Sequence, residues 1–121
     1  MPAPVIVAIG GKNYLMRWEI GPARRAEEES LGDNGVYVAW EASIYTHRHL
    51  TALWAMSLRC KDGIPNLSED DAEALLQAFI DEGHVLNDAR ILVGQAGIAG
   101  GFLSEVPGDA DTKATGGDGT D

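Results

Sequence analysis

The sequence predicts an α+β fold: an N-terminal β-hairpin packed on a small bundle of four to five helices, followed by a disordered acidic C-terminal tail. Apolar and polar residues alternate around a Gly-Gly pair near the N-terminus, which is typical of a hairpin. Farther along, apolar residues recur at helical spacing between capping and stop signals. We therefore expect one globular domain over residues 1–104 and a tail over residues 105–121, which has no aromatic residue.

The charge balance disfavours nucleic acid and anionic membrane surfaces as partners. The 121 residues include nine Lys and Arg against nineteen Asp and Glu, for a net charge of −10. Phosphate binding needs clustered basic side chains, which this sequence lacks. The tail contributes five acidic residues and one lysine, so the predicted domain itself remains acidic.

The sequence also predicts a cytoplasmic protein without membrane spans. The N-terminus lacks the basic start and longer apolar run of a secretory signal. The longest apolar-rich stretch without charge, residues 91–103, is shorter than the roughly 20 residues that a spanning helix needs. Cys60 is the single cysteine and cannot form an internal disulfide, so nothing indicates an oxidising compartment.

The hairpin is predicted over residues 5–20. Its first strand covers residues 5–9, and Gly10-Gly11 provides a tight turn that requires positive φ. In the second strand, one apolar face is expected to consist of Tyr14, Met16, Trp18 and Ile20. A two-stranded hairpin is marginal in water, so this face should pack on the helices that follow.

The sequence predicts five helices from start signals, stop signals and the spacing of apolar residues. Pro22 suits the first turn of a short charged helix that Gly32 stops, and Ser68 can cap a helix whose first turn is acidic. Residues 36–45 are apolar nearly all round, so they form a strand or a short buried helix, of which we favour the helix. The predicted helices cover residues of about 22–31, 36–45, 47–61, 68–83 and 87–100.

The third of these helices is expected to be the centre of the core. Its apolar residues recur at helical spacing, and those of the fourth helix form a second apolar stripe. The predicted core consists of Trp18, Leu50, Leu53, Trp54, Leu58, Leu75, Leu76 and Phe79.

The residues that might carry catalysis or bind metal fit no catalytic pattern, so we expect no enzyme, no cofactor and no metal. His47 and His49 point to nearly opposite sides of a helix and cannot chelate one ion there. Cys60 lies between two basic residues that face other directions on a helix, which favours a structural thiol over a nucleophile. The acids at residues 69–73 lack a calcium-loop pattern and suit a helix N-terminus.

The glycines near the C-terminal end of the domain do not match a phosphate-binding loop either. Gly94, Gly97, Gly100 and Gly101 have neither the Lys-Ser/Thr sequence nor the spacing of a dinucleotide site. Close helix packing, or a frayed helix end, explains them better.

An exposed apolar patch is the remaining candidate for function. The segment 36–45 has no polar face, so the part of it that is exposed would form a protein-binding patch. The candidate partner-binding residues are Tyr37, Trp40 and Ile44.

Four segments resemble the tail assembly chaperones of long-tailed bacteriophages and of related gene-transfer particles. Residues 11–18 (GKNYLMRW) match the N-terminal strand of that family, and residues 27–32 (EEESLG) match its short acidic helix. Residues 50–59 (LTALWAMSLR) and 67–72 (LSEDDA) are similar to its later helices. The resemblance extends over roughly residues 5–103.

This resemblance implies a small, mainly helical, non-enzymatic protein that acts in the host cell cytoplasm. Such a protein coats or stabilises the tape-measure protein, helps to recruit tail tube protein and leaves before the tail is finished. Self-association stays open, as does a longer frameshifted product. The alternative is a small structural virion subunit, a tail-completion or adaptor protein, which would remain in the finished particle.

Overall fold

The computed structural model describes residues 3–32 and 34–104. It confirms the α+β prediction: an antiparallel two-stranded hairpin is followed by five helices. The predicted disordered tail, residues 105–121, lies outside the described residues. The elements are β1 (Val5–Ile9), β2 (Lys12–Met16), α1 (Ile20–Glu29), α2 (Val36–Ala42), α3 (His47–Leu58), α4 (Glu69–Asp81) and α5 (Leu86–Ala99).

The hairpin turns at Gly10 and Gly11, as predicted. Both have positive φ, 60° and 79°, which a two-residue hairpin turn of the mirror-image type requires. Ile9 pairs with Lys12 next to the turn, and Val5 pairs with Met16 at the open end. The sheet therefore consists of these two strands alone within the described residues.

The second strand ends at Met16, earlier than the sequence predicted. The N–H of Arg17 donates to the carbonyl of Ser57 in α3 at 3.0 Å, and the N–H of Trp18 donates to the carbonyl of Ala96 in α5 at 3.1 Å. The chain thus leaves the hairpin and runs between two helices. Ile20, which the alternation placed on the buried strand face, is instead the exposed first residue of α1.

Helix α1 begins two residues before the predicted start. Pro22 still lies in its first turn, where an N–H would have no intrahelical partner. The helix ends at Glu29, and Gly32 follows with a φ of 63°.

Helix caps fix where the other helices begin. The side chain of Thr46 accepts the N–H of His49 at α3, and the predicted cap Ser68 accepts the N–H of Asp71 at α4. Helix α2 is capped by another helix: the Glu27 carboxylate of α1 accepts the N–H of Val36 at 2.9 Å. The predicted helix 36–45 is shorter than expected: it covers Val36–Ala42, and residues 43–45 form a turn.

Helix α3 lies at the centre of the core. It contacts α1, α2, α4, α5 and β2, and its residues from Ala52 to Leu58 are all buried. The indole Nε1 of Trp54 donates to the carbonyl of Ala72 at 3.1 Å, which links α3 to α4. Of the predicted core residues, Leu75 is only half-buried at the edge of the cluster. The others are buried: Trp18, Leu50, Leu53, Trp54, Leu58, Leu76 and Phe79.

The glycines of α5 allow close packing, as one of the two sequence interpretations held. A Cβ on Gly94 would lie 2.7 Å from the ring of Trp40, and one on Gly97 would lie 3.1 Å from the ring of Trp18. A Cβ on Gly100 would lie 2.0 Å from the carbonyl oxygen of Trp18. One face of α5 is therefore bare so that two tryptophans can pack on it.

The end of α5 is ordered rather than frayed. Gly101 has a φ of 83°, its N–H donates to the carbonyl of Ile98, and the N–H of Phe102 donates to that of Gly97. This is the Schellman arrangement of a helix C-terminus.

Leu53→Ala tests the position of α3. Leu53 is fully buried, so its truncation leaves a cavity and should lower the free energy of unfolding by about 2–5 kcal/mol. Chemical denaturation monitored by tryptophan fluorescence measures the change. A loss below about 1 kcal/mol would place the core elsewhere.

Gly100→Ala tests the close contact between α5 and Trp18. The added methyl group meets backbone that cannot rotate away, so we expect a loss of about 2 kcal/mol or more. Gly21→Ala is the matched control, since nothing lies within 4 Å of a Cβ there and its effect should stay within about 1 kcal/mol. Equal effects of the two substitutions would contradict the close-packing account.

Candidate partner-binding surface

An apolar pocket opens where the hairpin exit, α2 and the end of α5 meet. Its volume is about 470 Å³. Three of its apolar side chains come from different elements. Ile20 is the first residue of α1, Tyr37 lies in the first turn of α2, and Phe102 lies in the turn after α5. The lining residues are Arg17, Trp18, Glu19, Ile20, Tyr37, Gly100, Gly101 and Phe102.

The aromatic residues of the pocket belong to one continuous cluster. The rings of Tyr37 and Phe102 lie 6.3 Å apart, and the ring of Phe102 meets that of Trp18 edge to face at 5.6 Å. Trp18 in turn contacts Trp40 edge to face at 6.3 Å. The exposed ring of Tyr37 and the half-buried ring of Phe102 are therefore supported by the buried Trp18 and the half-buried Trp40, which fixes their orientation.

Hydrogen bonds hold the polar wall of the pocket. Arg17 pairs with Glu19 at 3.4 Å, and Glu19 also accepts the backbone N–H of Lys61 at 3.0 Å. Arg17 itself is nearly buried, and its Nε has no acceptor among the described residues. Because this wall is tied to α3 and to the loop after it, the pocket is preformed.

The apolar side chains at the mouth of the pocket face solvent. Ile20 is 80% exposed and Tyr37 is 54% exposed, so the mouth of the pocket carries exposed apolar surface. Burial of these side chains against another protein would be favourable, because it removes apolar surface from water.

The predicted partner-binding residues Tyr37, Trp40 and Ile44 are not brought together at one site. Tyr37 lines the pocket, whereas Trp40 is half-buried, with its ring against Gly94 and the Arg90 guanidinium 4.2 Å above it. Ile44 is 62% exposed and lines a separate depression of about 130 Å³ near Arg90. Trp40 is therefore a packing residue of the α2–α5 contact, and its role in partner binding stays a prediction.

The sequence analysis missed Ile20 and Phe102 as surface residues of this pocket. Ile20 was assigned to a buried strand face because the strand was extended past Met16. Phe102 had a signal: a large apolar residue directly after a glycine pair at a helix end is typical of a Schellman turn.

The side chains of His49 and Arg59 have structural partners. The ring of His49 contacts Thr46 and lies 3.2 Å from the side-chain nitrogen of Asn34. The Arg59 guanidinium donates to the carbonyl of Leu67 at 2.8 Å and so does not face Cys60. Within residues 3–32 and 34–104, no group of three or more His, Cys, Asp or Glu side chains is placed to hold a metal ion.

Cys60 is fully buried beside the hairpin. Its Sγ lies 3.6 Å from the carbonyl oxygen of Leu15. Burial raises the pKa of the Cys60 thiol, and the nearby Glu19 carboxylate raises it further. The thiol is therefore protonated and shielded, as a structural cysteine is.

Comparisons with known proteins yield no relative. The chain matches no protein-family model, and searches of curated proteins and of solved structures found no significant match. In the part of the chain that the structure describes, no helix is long and apolar enough to cross a membrane.

Burial of Cys60 predicts slow reaction and a pH effect. In the native protein the thiol should react with Ellman's reagent only at the rate of unfolding. Because its pKa is raised by folding, the unfolded state ionises first, and the free energy of unfolding should fall as pH rises above about 8.5.

Cys60→Ala is the control for this effect, since it removes the thiol but leaves the other titrating groups. The difference in unfolding free energy between the two proteins should change between pH 8 and pH 10. A constant difference, or rapid labelling of the native protein, would contradict the buried, protonated thiol.

Proposed function

We propose that the protein is a non-enzymatic tail assembly chaperone of the phage type. It binds the tape-measure protein in the host cell cytoplasm, helps to recruit tail tube subunits and leaves before the tail is complete. The resemblance of residues 11–18, 27–32, 50–59 and 67–72 to that family supports this proposal. The observation that carries it on the structural side is the exposed apolar pocket around Tyr37.

The pocket has the properties of a binding site for one apolar anchor of another protein. Energetic hot spots of protein interfaces are apolar or aromatic side chains that fill preformed pockets. Here Tyr37 and Phe102 provide aromatic walls, and Ile20 provides an apolar lip. A helix of the partner can insert one apolar side chain and lay its neighbouring turns on Ile20 and Tyr37.

The acidic charge of the protein suits a temporary partner of an apolar client. Net negative charge keeps a protein with exposed apolar residues soluble and monomeric. It also favours encounter with basic segments of a partner and is weakened by salt. Contact through one apolar anchor supports binding that can later be reversed.

The test is capture of the tape-measure protein by the tagged full chain in cells that assemble the particle. Tyr37→Ala removes one pocket wall and should reduce recovery of the tape-measure protein about tenfold or more, as truncation of a hot spot does. Tyr45→Ala is the matched control, because Tyr45 is 83% exposed and does not line the pocket. That control should retain recovery within about twofold.

The composition of finished particles separates the proposal from its alternative. A chaperone is absent from purified particles, whereas a tail-completion or adaptor subunit remains there at fixed stoichiometry. Recovery of neither tape-measure nor tube protein, or equal losses for the two tyrosine variants, would contradict the proposal. Unchanged thermal unfolding of both variants shows that the loss is one of binding.

A further inference from the structure

We propose that the free edge of β1 is a second docking site, which takes one extended peptide segment of a partner protein as an added β-strand. The segment alternates apolar and polar residues and carries a basic residue at the end nearest the hairpin turn. This site is separate from the Tyr37 pocket, and the proposal does not depend on the tail-assembly function.

The pairing register shows which backbone groups of β1 are free. Ile9 and Lys12 close a two-residue turn, so they form a hydrogen-bonded pair, and so do Val7 with Tyr14 and Val5 with Met16. The intervening residues, Ile6 and Ala8, direct their N–H and C=O groups away from β2. Among the described residues, no other group forms a hydrogen bond with them.

Within Val5–Ile9 the β1 edge lacks the usual protection against pairing, and Pro4 precedes it at the end away from the turn. Natural edge strands carry charged residues, prolines or bulges that prevent the addition of another strand. β1 is Val-Ile-Val-Ala-Ile, with no charge and no proline, and its pairing with β2 is regular over all five residues. Ile6 is 61% exposed.

A groove of about 400 Å³ runs along this edge. Ile6, Val7 and Ala8 form one side of it. The other side comes from the end of α4, the following loop and α5, through Phe79, His84, Asp88, Ile91, Leu92 and Gln95. Ile91 is 41% exposed although it is a large apolar residue. A strand seated on Ile6 and Ala8 would direct alternate side chains onto this apolar floor.

Helix α5 argues against a second copy of this chain as the occupant. Antiparallel pairing of two β1 strands about a twofold axis would bring their backbones to about 4.8 Å. Both copies of α5, which lines the same groove, would then lie on one side of the joined sheet and would share the space over it. A single strand brings no second helix to that side.

The charge around the groove selects the end residues of the segment. Asp88 lines the groove, and the Glu82 carboxylate accepts the N–H of Gly10 at the hairpin turn. No Lys or Arg lines the groove. A segment with Lys or Arg next to the turn gains from the Glu82 carboxylate, whereas an acidic segment is repelled by Glu82 and Asp88.

Amide hydrogen exchange on the full chain tests the proposal directly. The probe is the capped peptide Lys-Val-Thr-Val-Thr-Val-Lys, which alternates in the required way. With the peptide in excess, exchange of the Ile6 and Ala8 amides should slow by about tenfold or more, because new hydrogen bonds protect them. The same peptide with proline in place of the central valine, or with glutamate at both ends, should protect them less.

Ala8→Pro is the matching variant, since it removes an outward N–H without breaking a bond to β2. We expect it to weaken peptide binding about tenfold or more, because it removes a main-chain hydrogen bond and adds a steric block at the edge. Asn13→Pro is its control, because Asn13 lies directly across from Ala8 on the other edge of the hairpin. Tyr37→Ala should bind the peptide like the unmodified chain.

Four outcomes would overturn the proposal. The first is an unchanged exchange rate at Ile6 and Ala8, and the second is equal binding by the Ala8 and Asn13 variants. The third is protection without peptide that increases with protein concentration, which would mean a second copy at the edge. The fourth is protection without peptide that deletion of residues 105–121 removes. If Ala8→Pro no longer unfolds cooperatively, the exchange result on the unmodified chain alone tests the proposal.

Discussion

The fold depends on the passage of Trp18 between α3 and α5. Backbone hydrogen bonds hold residues 17 and 18 to both helices at once, so the hairpin cannot move without breaking the packing of the bundle. The bare face of α5 makes this passage possible, because a side chain at Gly97 or Gly100 would overlap Trp18. The same arrangement builds the Tyr37 pocket, since Trp18 supports Phe102 and the turn into α1 presents Ile20.

Local signals predicted the elements well because each had a local physical cause. Gly10 and Gly11 had to adopt positive φ, Ser68 had to cap the helix after it, and the apolar spacing of α3 had to face the core. The end of β2 had a cause that is distant in the chain. The carbonyls of Ser57 and Ala96 draw residues 17 and 18 out of the strand, and no pattern near Met16 indicates this.

The candidate surface was harder to predict than the fold. Burial of Trp40 depends on Gly94 and Arg90, about 50 residues farther along the chain, so the apolar run 36–45 could not separate its packing residues from its exposed ones. Tyr37 and Ile44 are exposed because the run has more apolar residues than one short helix can bury. The β1 groove had no sequence signal, since the edge that stays free follows from the placement of α5.

The cap that Glu27 provides for α2 bears on how sequences of this fold can diverge. Three glutamates stand in a row at residues 27–29, and they look interchangeable in the sequence. Only Glu27 reaches across to Val36, and a Cβ on Gly35 would lie 3.2 Å from its carboxylate. Substitutions at Glu28 should therefore be tolerated, whereas the residues at positions 27 and 35 should covary. A one-residue deletion between these two positions would leave α2 without its cap.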